Sequence, residues 1–359
     1  MAKKKIKVVH VIPTLDLGGA ERLLLDIVKR ADKETFSITV ICFKRGGIWE
    51  SEIINSGAKL IVLNKKHKFD FANFFKLRQA LIQEQPDIVH THLGGDIYGR
   101  LLAGLAGFKV VSTEHNLNKD ETISNTILKR LTSVYASLII AVSEAVAHDA
   151  KLRYGIKLAK IRVIHNGIDL SRFKPADIFK NEVVKIGAVG RLVTQKGFMT
   201  LLEALGLIKD KKFDCTIIGA GDLKDELQAK INLLGLNHKV HLAGLSNDVP
   251  TFLQTLDIFV VPSLWEGLGI AALEAGASGL PVIASKVDGL EEIIDDQVNG
   301  LLFKAGDASD LKDKINYLLD NQVLAKNFGE HLKRKVNERF DVVTMVKQYE
   351  LVYKSLLSD

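Results

Sequence analysis

Two carboxylates eight residues apart, Glu266 and Glu274, stand in the run EGLGIAALEAGASG (266–279), whose other side chains are apolar or tiny. An acid buried without a partner is costly, so each must find a donor in the protein or in a ligand. Glu266 comes directly after the strand-like DIFVVPS, and Gly267, Leu268 and Gly269 are expected to begin the next helix. Free N–H groups at such an N-terminus can hold phosphate or sugar oxygens. In a regular helix position 274 lies about 80° round from the direction of 266. The two acids could then contact different parts of one elongated ligand; the alternative is that both are structural.

The segment GRLVTQKG (190–197) offers Arg191 and Lys196 around a loop that opens towards a helix. A guanidinium fork beside an ammonium suits a diphosphate, each charge-assisted hydrogen bond contributing roughly 1.5–3 kcal/mol. A solvated charged turn is the competing reading. The pattern G-x-x-x-x-G-K-[ST] is not matched, which argues against ATP hydrolysis. Gly18 and Gly19 in PTLDLGGAERLLLD lead into a helix expected to begin near Ala20. Backbone N–H groups and the helix dipole favour a phosphate there, or else the pair serves a turn needing positive φ. A nicotinamide cofactor is disfavoured, because G-x-G-x-x-G is missing and the second strand ends in Phe43-Lys44-Arg45 without the acid a ribose would meet.

His115 in STEHN stands at a strand's carboxyl end. It can hydrogen-bond a sugar hydroxyl or exchange a proton near neutral pH, or it can cap a loop. His90 and His92 in DIVHTHLGG alternate at strand period and share a face, but no third metal ligand stands at a recognisable spacing. Packing or loop hydrogen bonds are expected for them and for His165.

The elements that must position these groups are visible as β-branched runs alternating with helical patterns. IKVVHVI, SITVICF, KLIVL, DIVHTH, KVVSTEH, SLIIAVS and IRVIHNG read as strands in the first half; VVKIGAVGR, FDCTIIGAG, KVHLAG, DIFVVPS, PVIAS and GLLF do so in the second. Such alternation predicts parallel sheets covered on both faces by helices such as AERLLLDIVKRAD and FANFFKLRQALIQEQ. Open α/β sheets bind ligands beyond the carboxyl ends of their strands, where strand order reverses, so the chemistry is expected in loops that follow strands. The polar stretch around Phe173–Glu182 is the expected linker. The last segment, VVTMVKQYELVYKSLLSD, has helical apolar spacing at Val343, Val346, Tyr349, Leu351 and Tyr353.

A chain of 359 residues exceeds what one core usually serves, and two domains are expected. Its 47% hydrophobic and 26% charged content is that of a globular protein, and no apolar run approaches the roughly 18–20 residues of a membrane helix. The opening MAKKKIKVVHVI has too short an apolar run for a signal peptide, and the expected location is cytoplasmic. Cys42 and Cys215 are expected as buried thiols in a reducing compartment, with no metal or disulfide role. The net charge of +6 points to anionic partners, while 7% aromatic content and the lack of a dense basic block argue against nucleic acid. Lys3, Lys4, Lys5 and Lys7 add an anionic membrane surface as a partner to test, with a peripheral location at the inner face of the membrane.

In order along the chain, GGAERLL, STEHN, NGIDLSRF (166–173), GRLVTQKG, IIGAGDLKDEL, LAGLSNDV, PSLWEGLGIAALEAGASGLPVIAS and NGLL resemble the retaining glycosyltransferases of family 4. The resemblance covers nearly the whole chain. It implies an α/β protein of GT-B fold, two doubly wound, Rossmann-like parallel-sheet domains facing a deep cleft. Residues 1–175 would be the acceptor-side domain and 176–340 the nucleotide-sugar-binding domain, with a terminal helix over 341–359 packing back towards the first.

The resemblance also implies roles. Arg191 and Lys196 would neutralise the donor's diphosphate, and Gly18 and Gly19 would close over the phosphates. Glu274 would hold the ribose, Glu266 would stand beside the donor sugar, and the amides of Gly267, Leu268 and Gly269 would contact sugar and phosphate oxygens. His115 would reach the transferred sugar, Asn166, Gly167 and Asp169 would shape the cleft, and Leu245–Val249 would border the base. Leu268 stands where the family commonly has phenylalanine, Asp288 where a glycine pair is common and Glu291 where proline is frequent.

The activity so implied is retaining transfer from a UDP-, GDP- or ADP-linked sugar to a glycan or lipid-linked acceptor, in cell-surface polysaccharide or glycolipid synthesis. No D-x-D motif is present, so no metal and no cofactor is expected. The rival readings are a sugar-nucleotide epimerase or hydrolase on the same scaffold, and a non-catalytic sugar-binding protein.

Overall fold

The computed structural model describes residues 4–16, 18–65, 70–246 and 248–358. The chain forms two compact units, residues 1–167 with 342–359 and residues 168–341. The first carries seven parallel strands, β1 (Ile6–Ile12), β2 (Phe36–Cys42), β3 (Lys59–Val62), β4 (Ile88–His92), β5 (Lys109–Glu114), β6 (Leu138–Ala141) and β7 (Ile161–Val163), in the order β3-β2-β1-β4-β5-β6-β7. The second carries six, β8 (Val184–Val189), β9 (Phe213–Ile218), β10 (Val240–Gly244), β11 (Ile258–Val261), β12 (Val282–Ser285) and β13 (Leu301–Phe303), in the order β10-β9-β8-β11-β12-β13. Every run read as a strand from the sequence is one.

Strands buried on both faces need apolar residues throughout, and β11 (IFVV) and β12 (VIAS) are wholly buried for that reason. β4 is equally buried although it reads IVHTH, so its polar side chains must be satisfied inside the protein. In each unit the strand order reverses once beside the first strand. β1 pairs with β4, setting His10 opposite His90, and β8 pairs with β11. Loops leaving the carboxyl ends of these four strands therefore emerge side by side within their unit.

The expected linker is part of the second unit's core. Phe173 and Ile178 are buried there, and Asp257 accepts the backbone N–H groups of Phe179 and, at 2.7 Å, Lys185. Burying a phenylalanine stabilises by roughly 1.5–3 kcal/mol, enough to hold this polar stretch down. The unit boundary falls at Ile168 instead of near 175, because Ile168 donates to the Phe340 carbonyl at 2.9 Å and bridges to Asp341.

The terminal helix Val342–Ser358 belongs to the first unit. Its buried stripe is Val342, Met345, Val346, Tyr349, Val352 and Tyr353; Val343 and Leu351, counted in the apolar spacing, are exposed. Both cysteines are free, buried thiols. No helix among the described residues is long and apolar enough to cross a membrane.

Candidate active site

In the second unit two loops carry the predicted groups. The first leaves β8 through Arg191, makes a single turn over Thr194–Lys196, passes Gly197 at φ +64 and enters the helix Phe198–Gly206. The second leaves β11 through Pro262–Gly269 and enters the helix Ile270–Ala277. Backbone and side-chain bonds stitch them together. Leu264 N donates to Gln195 O at 2.8 Å and Gln195 Nε2 donates to Trp265 O at 3.1 Å. The close approach requires glycine at 197, since a Cβ there would lie 1.9 Å from the Pro262 carbonyl oxygen. Gly289 does the same behind the second loop, where a Cβ would lie 2.4 Å from the carbonyl oxygens of Glu266 and Gly267.

Across this seam Lys196 Nζ donates to Glu266 Oε2 at 2.5 Å, and Ser263 Oγ donates to the same oxygen at 3.1 Å. The pair is largely enclosed, with 20% and 11% of the two side chains exposed. Arg191 is exposed and reaches the seam through Nη2, which donates to Gln195 Oε1 at 3.4 Å. The structure thus joins two residues expected at different parts of the donor, Lys196 for the diphosphate and Glu266 for the sugar, as an ion pair.

The helix after Glu266 begins later than expected. Gly267, Leu268 and Gly269 are not helical; Gly269 caps the helix at φ +89, a left-handed conformation that favours glycine, and the first helical residue is Ile270. The 80° relation between Glu266 and Glu274 therefore does not apply, because only Glu274 is on the helix, where it is half-buried. Gly267, Leu268 and Gly269 are buried, and Leu268 packs in the unit's apolar core. In the segment expected near the base, Leu245 is exposed and Asn247 lies outside the described residues.

In the first unit Gly18 caps the helix Gly19–Arg30 in an extended conformation, φ −172, so positive φ does not explain this glycine. Gly18 and Gly19 are exposed, and the Glu21 carboxylate folds against Gly18 closely enough that a Cβ there would lie 2.2 Å from its Oε2. A phosphate at this helix end would meet that acid. Asp169, in the signature NGID, caps the next turn by accepting from Ser171 N at 3.2 Å and Ser171 Oγ at 2.6 Å. Lys3 of the basic N-terminus lies outside the described residues.

His115 follows β5 and is half-buried. Its Nε2 lies 3.1 Å from His92 Nδ1, and His92 Nε2 lies 3.0 Å from His10 Nδ1. His90, next in the cluster, lies 2.7 Å from Tyr353 Oη through Nδ1 and 2.7 Å from Thr113 Oγ1 through Nε2. The partner that the histidine pair lacked in the sequence is His10, which stands 82 residues from His92 and reaches it because β1 and β4 are neighbours. Ligand atoms of His10, His90 and His92 lie within 4.8 Å of one another. His90 nevertheless engages both ring nitrogens with Tyr353 and Thr113, so the trio reads as a hydrogen-bonded cluster rather than a coordination shell.

Burial disfavours the charged rings. The pKa is lowered from 6.5 to about 3 at His10 and about 4 at His115, and well below 6.5 at His90 and His92. Beneath His115 the end of β5 is held by Glu114, which accepts from the fully buried Arg100 at 3.2 Å and from Lys129 at 3.5 Å. Lys129 also pairs with Glu121 at 3.1 Å, and Asp96 lies 3.7 Å from Arg100. Arg100 and Asp96 are one turn apart on the helix Gly95–Leu105, but Glu114 on β5 meets Arg100 and Lys129 only through the fold, so the sequence does not single out this cluster.

Against known proteins, the family model Glycosyltransferase Family 4 matches residues 17–172 and the model Glycosyl transferases group 1 matches residues 172–335. The chain is 30% identical to the UDP-Gal:alpha-D-GlcNAc-diphosphoundecaprenol alpha-1,3-galactosyltransferase of Escherichia coli, with 97% of each chain covered. It is 29% identical to the N,N'-diacetylbacillosaminyl-diphospho-undecaprenol alpha-1,3-N-acetylgalactosaminyltransferase of Campylobacter jejuni, with 71% of each covered. Among solved structures, Anabaena Alr3699/HepE in complex with UDP and glucose superposes with a TM-score of 0.89 at 23% identity, covering 98% of this chain and 100% of that one. The doubly wound sheets, the order of motifs along them and these matches agree: the chain belongs to the family 4, group 1 glycosyltransferases of GT-B fold.

Proposed function

We propose that this glycosyltransferase moves a sugar from a UDP-sugar to a lipid-linked glycan, with retention of anomeric configuration and without a metal. The observation that carries this reading is the stitched pair of loops at the β8–β11 reversal, which pairs Lys196 with Glu266 and ties Arg191 to Gln195 on the same loop. Departure of the nucleotide develops negative charge on the diphosphate and positive charge on the sugar ring. Arg191, Lys196 and the backbone amides of Gly267, Leu268 and Gly269 serve the first charge, which is what a divalent cation would otherwise do. Glu266 serves the second. Both of its hydrogen bonds among the described residues fall on Oε2, leaving Oε1 for a sugar hydroxyl. A carboxylate so engaged is a poor covalent nucleophile, which supports attack by the acceptor on the face the diphosphate leaves.

Glu274 binds the ribose, Gly18 and Gly19 close on the phosphates, and His115 donates to the transferred sugar. A UDP donor and an undecaprenyl-diphosphate-linked acceptor are supported by the E. coli relative, a galactosyltransferase that uses UDP-Gal and a GlcNAc-diphosphoundecaprenol acceptor. The test is transfer from UDP-, GDP- and ADP-sugars to such an acceptor with product anomer identified by NMR. Turnover unchanged by EDTA and an α-linked product from an α-linked donor are expected. Activity lost to EDTA and restored by Mg²⁺ would remove the metal-free reading, and release of free sugar in step with nucleotide would favour a hydrolase.

The two acids separate by kinetics. Glu274→Ala is expected to weaken UDP binding by about 10- to 100-fold, the equivalent of one charged hydrogen bond. Glu266→Ala should lower kcat by a similar factor with less change in UDP affinity. Isothermal titration with UDP and initial rates distinguish them; equal loss of both quantities in both variants would merge the roles.

The location proposed is peripheral, at the inner face of the membrane. The helix Ile123–Thr132 and the turn after it expose a row of apolar side chains, Ile123, Ile127, Leu131 and Val134, with exposed Lys119 and Arg130 beside it. Apolar residues rimmed by cations suit an anionic lipid surface. Co-sedimentation with phosphatidylglycerol vesicles at low salt is expected, and the variant Ile127→Asp/Leu131→Asp should stay in the supernatant. Equal sedimentation of parent and variant would show that this face does not bind lipid.

A further inference from the structure

His115, His92 and His10 form a chain of rings whose two outer nitrogens, His115 Nδ1 and His10 Nε2, are buried without a hydrogen-bond partner. The rings face Glu114 and Lys129 at one end and His90, Thr113, Tyr349 and Tyr353 along the cluster. Burial keeps all three neutral at neutral pH, so each ring carries one proton. Two of the three protons must occupy the two ring-to-ring bonds. The third is left for one outer nitrogen, and its choice sets the tautomer of every ring in the chain. With the proton on His115 Nδ1, His10 donates to His92 and His92 donates to His115. With it on His10 Nε2, every donor reverses.

The two ends are not equivalent. His10 is fully buried, and an N–H there has no acceptor; a bare ring nitrogen is the lesser loss. His115 Nδ1 is buried as well, but its ring is partly exposed at the carboxyl end of β5, so a ligand oxygen that reached Nδ1 after a small turn of the ring would supply the acceptor that His10 Nε2 lacks. We propose that His92 and His10 are positioning residues of the transfer reaction, which hold His115 in the Nδ1–H tautomer so that it donates a hydrogen bond to the bound sugar. This rests on the transferase reading and adds to it two residues that touch no substrate. No proton leaves the protein in this role; binding of the sugar oxygen fixes the register that the chain already favours.

Long-range ¹⁵N–¹H spectra of ¹⁵N-histidine-labelled protein read the tautomer directly. In the parent at pH 7.5, His115 is expected to show a protonated Nδ1 and a bare Nε2. His92→Leu removes the donor to His115 Nε2 and is expected to shift His115 towards the Nε2–H form, with kcat about tenfold lower and the KM for the nucleotide-sugar within twofold. His92→Asn places an amide N–H near the lost Nδ1 and should restore both the tautomer and kcat to within threefold. An Nε2–H His115 in the parent, or an unchanged His115 tautomer in His92→Leu, would overturn the proposal. The parent spectrum decides even if His92→Leu does not fold. It is independent of turnover, so an absence of transfer activity would overturn the transferase reading while the tautomer assignment stood or fell on its own spectrum.

Discussion

Replacing Lys196 by alanine is expected to lower kcat/KM for sugar transfer by about 10²–10³, the loss typical of removing one preorganised group that stabilises developing negative charge. The ammonium sits 2.5 Å from Glu266 in a largely enclosed seam, so its charge acts where water screens it little. The variant also leaves Glu266 without its cation, and the two effects are separated by Lys196→Arg. That change keeps a cation beside Glu266 but replaces a compact ammonium with a planar fork, and an intermediate loss is expected. Unfolding midpoints control for stability, since Gly197 and Gln195 hold the loop independently of the Lys196 side chain. Activity of Lys196→Ala within threefold of the parent would sink the assigned role.

Acidification is expected to destabilise the first unit at a pH well above the ordinary carboxylate range. His10, His90, His92 and His115 have pKa values lowered by burial. The unfolded chain takes up protons at these rings as the pH falls through about 6.5, whereas in the folded unit His10 and His115 stay neutral until about pH 4 or below and burial holds His90 and His92 neutral well below 6.5. The stabilisation is complete above pH 6.5 and is lost as the pH falls from there towards 4. Between pH 7 and pH 5 the loss is about 2 kcal/mol for each of His10 and His115, and His90 and His92 act in the same direction. Against a typical net stability of roughly 5–15 kcal/mol this is a substantial fraction.

Asp96 acts in the opposite sense. Burial and the charge of Glu114 raise its pKa, so the folded unit gains a proton there first and recovers part of the loss. Glu114 contributes only at lower pH, because burial raises its pKa but Lys129 and Arg100 more than offset it and hold it below the ordinary value of 4.5. The two tryptophans report separately, Trp49 in the first unit and Trp265 in the second. In urea at pH 7.5 and 5.0, the Trp49 transition of a Trp265→Phe variant should move to much lower denaturant on acidification, and the Trp265 transition of Trp49→Phe should move far less. Equal shifts would deny the histidine cluster its part.

Most of the architecture was legible as period and composition. Strands buried on both faces must be short runs of β-branched residues, and the inner strands were visible for that reason, while the partly covered β3, β7 and β10 were visible as short runs of the same rhythm. Misreadings came where tertiary contact overrode local pattern. The polar segment after Arg172 looked like a linker, yet Phe173 and Ile178 anchor it in a core that lies far away in sequence. The run after Glu266 looked helical, yet it stays irregular to Gly269, whose left-handed conformation postpones the helix to Ile270. The terminal helix was evident, but Val343 and Leu351 were counted on its apolar face when Val342, Met345 and Val352 are the ones buried.

By itself the sequence determined the kinds of groups available to the chemistry: a lysine and an arginine after one strand, an acid before a helix and another within it, a histidine at a strand end. These are local properties, because a residue's type and its offset from a strand are written along the chain. Only the tertiary structure decided which of them meet. Lys196 and Glu266 are 70 residues apart and become an ion pair because β8 and β11 are neighbours at the reversal of strand order. His10 and His92 join one chain of rings because β1 and β4 stand in the same relation in the other unit. Adjacency of strands distant in sequence is set by how two sheets bury their apolar faces, a property of the whole core that no single stretch carries.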